Sequence, residues 1–391
     1  MMKKMLIVCS TLNLDYPHSA TPALWQLFKG LYEEGCELIV VPYRGSHIRS
    51  LWWRCYENPC KVEGELYAHI HNFLRKVFSF TNHTSRNGRE KLISKLTHIF
   101  TKPKWKRLLL NILEEEKNVD AVVFIGVPLN QLTGIATSIK KFFRIPVVYY
   151  DLDVPTSLPQ FGGFTFNYYV NADVTEYDAI IIPSEGSVPV LKEMGAQKVF
   201  VLHFGVDPDV YSPLKLKQDI DITFFGNSSK GRENYIRMMI SEPSKILSSS
   251  KFLVIGRDIR VDLGNARIIP FVPFSRLRNY CCRSKINLNI ARENHAATIT
   301  STSRPFELAA MECCVVSAPY RGLDKWFTVG KEMFMVKSVK EAVEIYKWLL
   351  QEDDIRKKTG RAARERVLKE HTVRHRARQL VRILKLLEST S

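Results

Sequence analysis

Short and almost entirely apolar runs recur through the first half of this 391-residue chain, and each run leads into a turn. They occupy residues 5–9, 37–41, 121–125, 147–150, 179–182 and 199–202. Continuous rather than alternating hydrophobicity is typical of strands buried on both faces of a sheet. Amphipathic stretches at 23–34 and 104–116 predict helices, and Gly35 is suited to cap the end of the first. The pattern therefore predicts a parallel sheet covered by helices.

The same alternation restarts after a break at 203–208, where the sequence is His-Phe-Gly-Val-Asp-Pro. Strands are predicted at 221–225, 252–255, 268–272, 286–290 and 315–317, and helices at 305–312, 338–350, 353–368 and 372–387. We predict a Rossmann-like domain over 1–205, a second over 206–371, and a final helix over 372–391 that packs on the first domain. Two doubly wound domains would leave a cleft at the carboxyl ends of their strands, where such folds bind ligands.

Composition places the chain among globular proteins, because 45% of its residues are hydrophobic and 25% are charged. No apolar run has the length of a membrane span, and the N-terminal one is too short for a signal peptide. We therefore expect a cytoplasmic protein. Its eight cysteines lack zinc-binding spacing, and we expect reduced and mostly buried thiols. Four of them form two adjacent pairs, Cys281-Cys282 and Cys313-Cys314.

The formal net charge of +17 requires an anionic partner. One basic region spans 44–107, with Trp52 and Trp53 among its aromatic residues, and another spans 356–385. Basic residues interleaved with aromatic ones suit an anionic membrane surface, so association with the inner face of the cell membrane is expected. Nucleic acid is an alternative partner, although the sequence contains no motif of a nucleic-acid reader, and we expect none to bind.

Two segments of the second half combine the features that bind a diphosphate. Gly226 and Asn227 begin a turn in which Lys230 and Arg232 precede a helix. The segment 301–312, Ser-Thr-Ser-Arg-Pro-Phe-Glu-Leu-Ala-Ala-Met-Glu, places hydroxyl groups and a cation before a helix that starts near a proline. Backbone N–H groups at a helix start, together with cations, are the usual ligands of phosphate.

In their order and spacing these segments resemble group 1 glycosyltransferases, most of all the spore-maturation (CgeB-like) branch. The resemblance includes the "G-V-D-P…P" segment at 205–213, Gly330-Lys331-Glu332 and the closing pair His371-Thr372. It covers the last half of the chain well and the first half in outline. It implies the GT-B architecture, with two Rossmann-like domains flanking a cleft and a nucleotide-sugar donor, linked to UDP or GDP, on the second.

The resemblance also implies roles for individual residues. Ser303 and Arg304 would contact the diphosphate together with the turn at 226–232, and Glu307 would accept hydrogen bonds from the ribose hydroxyls. Arg304 has an alternative structural role as the ion-pair partner of Glu307 or Glu312, and Glu307 has one as a first-turn acid favoured by the helix dipole.

The chain departs from the family at one position. Many group 1 transferases carry an earlier Glu that contacts the donor sugar, and Ile299 stands at the matching place. Sugar contacts would then come from the segment 289–298, with His295 as our candidate, although a plain surface histidine is equally compatible with the sequence. Retention and inversion of the anomeric centre both stay open.

In the first half, Asp153 lies just before Pro155 after a predicted strand and is our candidate for the base that deprotonates an acceptor hydroxyl. A turn-capping role is the alternative. His18, after the first strand, is a second catalytic candidate by resemblance. Asp151 and Asp153 also form a D-x-D pair, which in other transferases holds a divalent cation, but we expect metal-independent transfer because the cationic turn already compensates the diphosphate.

The sequence and its resemblance therefore predict a glycosyltransferase that needs no cofactor. Its acceptor would be a glycan, lipid or protein, as part of the cell envelope, a glycolipid or a glycoprotein. Three alternatives stay open: a nucleotide-sugar epimerase on the same fold, a basic nucleic-acid-binding protein, and a scaffold homologue without activity.

Overall fold

In a computed structural model the chain is described over residues 3–14, 22–61, 100–161, 168–226 and 229–388. Its contacts divide it into two compact units. The first comprises Met1–Ile182, Ser187–Leu202 and Ala377–Ser391, and the second comprises Pro183–Gly186 and His203–Arg376. The predicted domains, 1–205 and 206–371, remain predictions, because compactness alone does not show that a unit folds by itself.

The first unit is built on a parallel sheet of seven strands in the order β3-β2-β1-β4-β5-β6-β7. The strands are β1 (Lys4–Thr11), β2 (Glu37–Arg44), β3 (Arg54–Cys55), β4 (Ala121–Ile125), β5 (Val147–Tyr150), β6 (Ala179–Ile182) and β7 (Val199–Val201). Its described helices include α1 (Pro22–Glu33), α2 (Lys102–Glu116), α3 (Ile135–Phe143) and α4 (Val188–Glu193).

The central strand β1 shows why the apolar runs are continuous. Leu6 and Val8 face one apolar core of this unit, whereas Met5, Ile7 and Cys9 face the other. Successive side chains of a strand point to opposite faces, so a strand covered on both sides has no polar face. The second core also receives Leu380, Leu384 and Leu387 from the C-terminal helix.

The second unit contains a parallel sheet of six strands in the order β10-β9-β8-β11-β12-β13. They are β8 (Ile220–Phe225), β9 (Phe252–Ile255), β10 (Arg267–Ile269), β11 (Ser284–Asn289), β12 (Val315–Ser317) and β13 (Phe334–Met335). A helix follows β8 as α5 (Glu233–Ile236), a π-helical turn (Arg237–Ser241) and α6 (Glu242–Ile246). The further described helices of this unit are α7 (Phe274–Arg283), α8 (Glu293–Ala297), α9 (Ser303–Ala310), α10 (Leu323–Trp326), α11 (Val339–Gln351) and α12 (Asp353–Glu370). The C-terminal helix α13 (Val373–Glu388) begins in this unit and belongs to the first unit from Ala377 onward.

The predicted pair of parallel α/β sheets is therefore confirmed, with local differences. The strand expected at 268–272 is only Arg267–Ile269, because Pro270 and Pro273 lack the backbone N–H that a strand would donate. The helix expected from residue 305 begins two residues earlier, at Ser303.

The structure corrects the expected role of Trp53. Its indole is 4% exposed, donates a hydrogen bond from Nε1 to the Ile48 carbonyl over 2.9 Å, and packs against Trp25 and Phe28 with ring centroids 4.8 and 5.6 Å away. Trp53 is thus a core residue and is not free to enter a lipid surface. Of the described helices, none combines the length and apolar character that a membrane crossing requires.

Gly360 allows a close approach between α12 and the segment that follows α9. A Cβ atom built on Gly360 would lie 2.1 Å from the Glu312 carbonyl oxygen, which belongs to the backbone and cannot rotate away. Gly360→Ala should therefore lower the free energy of unfolding by about 1–2 kcal/mol, because overpacking outweighs the better helix propensity of Ala. Urea denaturation measures this change. Lys358→Ala, on an exposed turn of the same helix, should change stability by less than 0.5 kcal/mol, by the usual range for surface positions.

His371 lies in an aromatic cluster of the second unit. Its Nδ1 is 2.6 Å from Arg376 Nη2, and its ring lies 5.1 Å from that of Phe306 and 6.0 Å from that of Phe327. Burial, followed by the charge of Arg376, lowers the pKa of His371 to about 3. The imidazole therefore stays neutral in the folded protein and accepts a hydrogen bond from the arginine.

This lowered pKa predicts an acid-sensitive fold. Below pH 6.5 the unfolded chain binds a proton at His371, whereas the folded chain binds it only when the pH falls to about 3. The free energy of unfolding therefore falls as the pH falls through that window. The slope from this group is at most about 1.4 kcal/mol per pH unit. Urea denaturation of His371→Asn at pH 6 and pH 5 should show a smaller loss than the parent protein. An unchanged loss would contradict the assignment.

Candidate functional site

The carboxyl ends of β8 and β11 are neighbours in the second sheet and bring two loops together. The loop after β8 leads through Gly231 to Arg232, and the loop after β11 leads to Arg292 and α8. Two hydrogen bonds join the loops: the Glu293 N–H donates to the Gly231 carbonyl over 2.8 Å, and Arg232 Nε donates to the Ile290 carbonyl over 2.9 Å. This edge of a parallel sheet is where α/β folds bind ligands.

Three arginines share the space above these strand ends. Burial, followed by the charges of Arg292 and Arg304, lowers the pKa of Arg232 to about 10, and Glu233 opposes this effect. A guanidinium loses basicity only where desolvation and like charges disfavour its charged form. An anion bound here would relieve both costs, so the site is prepared for a negatively charged ligand.

His295 extends the same cluster. Burial, then Arg292 and Arg232, lowers its pKa to about 3, so the ring is neutral at physiological pH. Its Nδ1 is enclosed and has no hydrogen-bond partner in the structure. His295 is half-buried, and its contact with a sugar stays a prediction. A neutral imidazole beside Arg292 and Arg232 offers one donor and one acceptor to a polar ligand group.

Arg304 and Glu307 form an ion pair, which is the structural role given above as an alternative for Arg304. Arg304 Nη1 lies 2.9 Å from Glu307 Oε2, without the geometry of a hydrogen bond, and the guanidinium stacks on Phe225 with 3.8 Å between its Cζ and the ring centroid. Glu307 is buried. The burial of Tyr211, together with the negative charge of Glu307, raises the pKa of Tyr211 well above the usual value. The ion pair does not exclude phosphate contact, since a guanidinium carries five N–H donors. Phosphate contact by Arg304 and ribose contact by Glu307 stay predictions.

The remaining residues that were predicted to bind the nucleotide-sugar donor differ in the groups that they can offer to it. Gly226 is buried and its N–H donates to the Ile255 carbonyl over 3.0 Å, so this amide is used by the sheet and not by a ligand. A Cβ at Gly226 would lie 2.7 Å from the Phe224 ring, which explains the glycine by packing. Lys230 is exposed, and half-buried Ser303 is the first residue of α9. Asn227 lies outside the described residues.

Ile299, at the position of the family's sugar-contacting Glu, has a strained backbone. Its φ is +51°, which is unusual for a β-branched residue. The segment is held by a hydrogen bond from the Gly186 N–H to the Thr298 carbonyl over 2.8 Å. The Ile299 side chain also packs against Gly322, where a Cβ atom would lie only 2.4 Å from Ile299 Cγ2. Backbone strain is often kept at functional sites. Here an apolar side chain stands at the position where the resemblance to group 1 transferases implies a carboxylate.

The two aspartates of the D-x-D pair have separate surroundings in the first unit. Asp151 is fully buried and accepts hydrogen bonds from Ser157 Oγ (2.6 Å), Tyr169 Oη (2.7 Å) and the Asp153 N–H (2.8 Å). Burial raises its pKa, against the effect of these donors. Asp151 therefore fixes the loop that carries half-buried Asp153 and is not placed to hold a cation. Across the described part of the chain, no group of three or more His, Cys, Asp or Glu could hold a metal ion.

Catalytic roles for Asp153 and His18 stay predictions, and His18 lies outside the described residues. Within the segment 289–298, which was predicted to contact the sugar, Arg292 belongs instead to the arginine cluster. Arg292 is the first charged residue after the apolar end of β11, and a charged residue at the carboxyl end of a buried strand is the signal that could have identified it.

Comparison with known proteins supports the fold and the family of the second unit. A family model described as glycosyl transferase-like matches residues 217–382. No curated protein matches the sequence. Among solved structures, a sucrose-phosphate synthase from Thermosynechococcus elongatus matches at 12% identity over 100% of both chains, with a TM-score of 0.65.

Two further structures match at similar levels. The Anabaena protein HepE in complex with UDP-glucose is 10% identical, with 98% of this chain and 99% of that chain covered and a TM-score of 0.63. A glycosyltransferase from Rickettsia africae is 13% identical over 100% of both chains, with a TM-score of 0.59. The predicted GT-B fold is thereby confirmed, and residues 217–382 match a glycosyl transferase-like family.

Proposed function

We propose that this chain is a glycosyltransferase that uses a uridine diphosphate sugar as donor and binds the diphosphate at the arginine cluster of its second unit. The observation that carries the proposal is the pair of loops after β8 and β11, joined by hydrogen bonds, where Arg232 lies close enough to Arg292 and Arg304 for their charges to lower its pKa. The family match to residues 217–382 supports the reaction class, and the UDP-glucose complex of HepE supports uridine as the nucleoside of the donor. Membership of the spore-maturation branch stays a prediction.

Each part of the donor has a candidate partner. Arg232, Arg292 and Arg304 would compensate the charge that develops on the departing diphosphate, which is how cationic clamps accelerate such reactions. Glu307 would accept from ribose hydroxyls. Neutral His295 would hydrogen-bond a sugar hydroxyl, and Ile299 would exclude the carboxylate contact that relatives make.

The transfer breaks the bond between the anomeric carbon and a phosphate oxygen and forms one to an acceptor oxygen. With inversion, a carboxylate must take the acceptor's proton, and Asp153 is our candidate. With retention, the departing phosphate oxygen can take it. The acceptor is a glycan, lipid or protein hydroxyl, and an anionic membrane surface is a candidate location for it.

The test is a panel of UDP- and GDP-linked sugars, with release of the nucleoside diphosphate measured and the sugar product analysed by NMR. Release of UDP, increased by an acceptor extract, would support the proposal. Conversion of the donor into its epimer without UDP release would replace transfer by epimerisation. Binding of DNA with no binding of any nucleotide would favour the nucleic-acid alternative.

A further inference from the structure

The opposite edge of the second sheet carries a cavity that the donor site does not use. The helix α7 ends at Arg283 directly before β11, and Cys313 and Cys314 directly precede β12. Because β11 and β12 are parallel neighbours, these segments meet at the amino ends of the strands. A cavity of about 370 Å³ lies there, lined among others by Leu214, Cys281, Cys282, Cys313, Lys357 and Arg361.

The cavity is lined by two thiols from distant parts of the sequence. Cys282 is the penultimate residue of α7, and Cys313 lies between α9 and β12. Both residues line the cavity, and Cys313 Sγ lies 3.7 Å from the carbonyl oxygen of Cys281, which precedes Cys282 in the chain. Both cysteines are free in the structure.

The surroundings make the two thiols unequal. The hydrogen bond from Cys313, the Leu214 N–H and the charge of Arg278 lower the pKa of Cys282, although burial opposes them. The pKa of Cys313 is raised, as hydrogen bonding to Cys282 and burial both disfavour its thiolate. Burial raises the pKa of both Cys281 and Cys314 to about 12. We assign Cys282 as the nucleophile of this pair because the Leu214 N–H and the charge of Arg278 favour its thiolate, which is the reactive form.

We propose that Cys282 and Cys313 form an oxidation site that reacts with small hydroperoxides and closes to a disulfide. The Cys282 thiolate attacks the terminal peroxide oxygen, the O–O bond breaks, and the leaving alkoxide or hydroxide takes a proton to leave as alcohol or water. This gives a sulfenic acid on Cys282. The Cys313 thiol then loses its proton and attacks that sulfur, the S–O bond breaks, and water leaves. The peroxide is reduced by two electrons, and the two thiols are oxidised.

Charged side chains also line the cavity. Lys357 and Arg361 on α12 contribute two positive charges, and Glu312 contributes one negative charge that opposes the lowering of the Cys282 pKa. The balance is positive, which favours a thiolate and the negative charge that develops on the leaving oxygen. Cys313 is in place as the resolving thiol, and such a neighbour is typical of redox-responsive cysteines.

The test treats the reduced, folded protein with hydrogen peroxide, alkylates the remaining thiols and maps the peptides by mass spectrometry. We expect a loss of two hydrogens, a peptide containing residue 282 linked to one containing residue 313, and reversal by dithiothreitol. In Cys313→Ser, dimedone should label Cys282. The neighbouring variants Cys281→Ser and Cys314→Ser should still form the link.

Persistence of eight alkylatable thiols in the treated parent protein would overturn the proposal, and so would a link that forms in Cys282→Ser. The parent protein alone gives the first of these results, so the outcome does not depend on whether a variant folds. Donor binding and transfer need not be measured, and the result is independent of the proposed function.

Discussion

Arg304→Ala is expected to lower kcat/KM for a UDP-sugar by about 30- to 1,000-fold, which corresponds to roughly 2–4 kcal/mol of transition-state stabilisation. The change removes a preorganised guanidinium at the start of α9, where the departing diphosphate would develop charge. Steady-state release of UDP measures the effect. Arg361→Ala, on an exposed part of α12 at the other edge of the sheet, is the matched control and should retain activity.

The ion pair complicates this variant, because Arg304→Ala leaves the buried Glu307 carboxylate without its partner. The double variant Arg304→Ala/Glu307→Gln removes that charge, and its comparison with Glu307→Gln alone separates the loss of Arg304 from the loss of the expected ribose contact. If the double variant folds and is as active as Glu307→Gln, Arg304 does not contribute to transfer.

Arg232→Met is expected to weaken UDP binding by about 10- to 100-fold, since a charge-assisted hydrogen bond contributes about 1.5–3 kcal/mol. Without ligand, however, its free energy of unfolding should stay within about 1 kcal/mol of the parent value or exceed it. The hydrogen bond to Ile290 is lost, but the cost of burying a charge beside Arg292 and Arg304 is lost with it. Isothermal titration calorimetry and urea denaturation measure the two quantities.

The matched control for that variant is Arg361→Met, which should leave both quantities unchanged. Retained stability with weakened UDP binding in Arg232→Met is expected of charges that are held together for a ligand. If Arg232 had only a structural role, the variant would instead lose much of its stability and keep its affinity for UDP.

The architecture could be predicted because its signal is redundant. The continuous apolar character of β1 and β4 follows from burial on both faces, and no local turn has to be known to recognise it. The helix at 303–310 could be placed because a proline and hydroxyl residues mark its start. Boundaries were less certain at edge strands such as β10, where few contacts fix the ends.

The site could be predicted only as a set of segments. Arg232 could be identified from the turn after β8, and Arg304 from the start of α9. The lowering of the Arg232 pKa by Arg304 depends, however, on how close the fold brings these two segments. The use of the Gly226 amide by β9 depends on sheet order, which the sequence does not state. Trp53 was misassigned for a similar reason, because an aromatic residue in a basic stretch has the same local sequence whether it is buried or exposed.

The central claim is that the arginines at the carboxyl ends of β8 and β11 bind the donor diphosphate. A crystal structure of the protein with UDP tests it most directly. We expect phosphate oxygens within hydrogen-bond distance of at least two of Arg232, Arg292 and Arg304. A structure with UDP bound elsewhere, or with these three side chains unchanged around an empty pocket at saturating UDP, would contradict the claim.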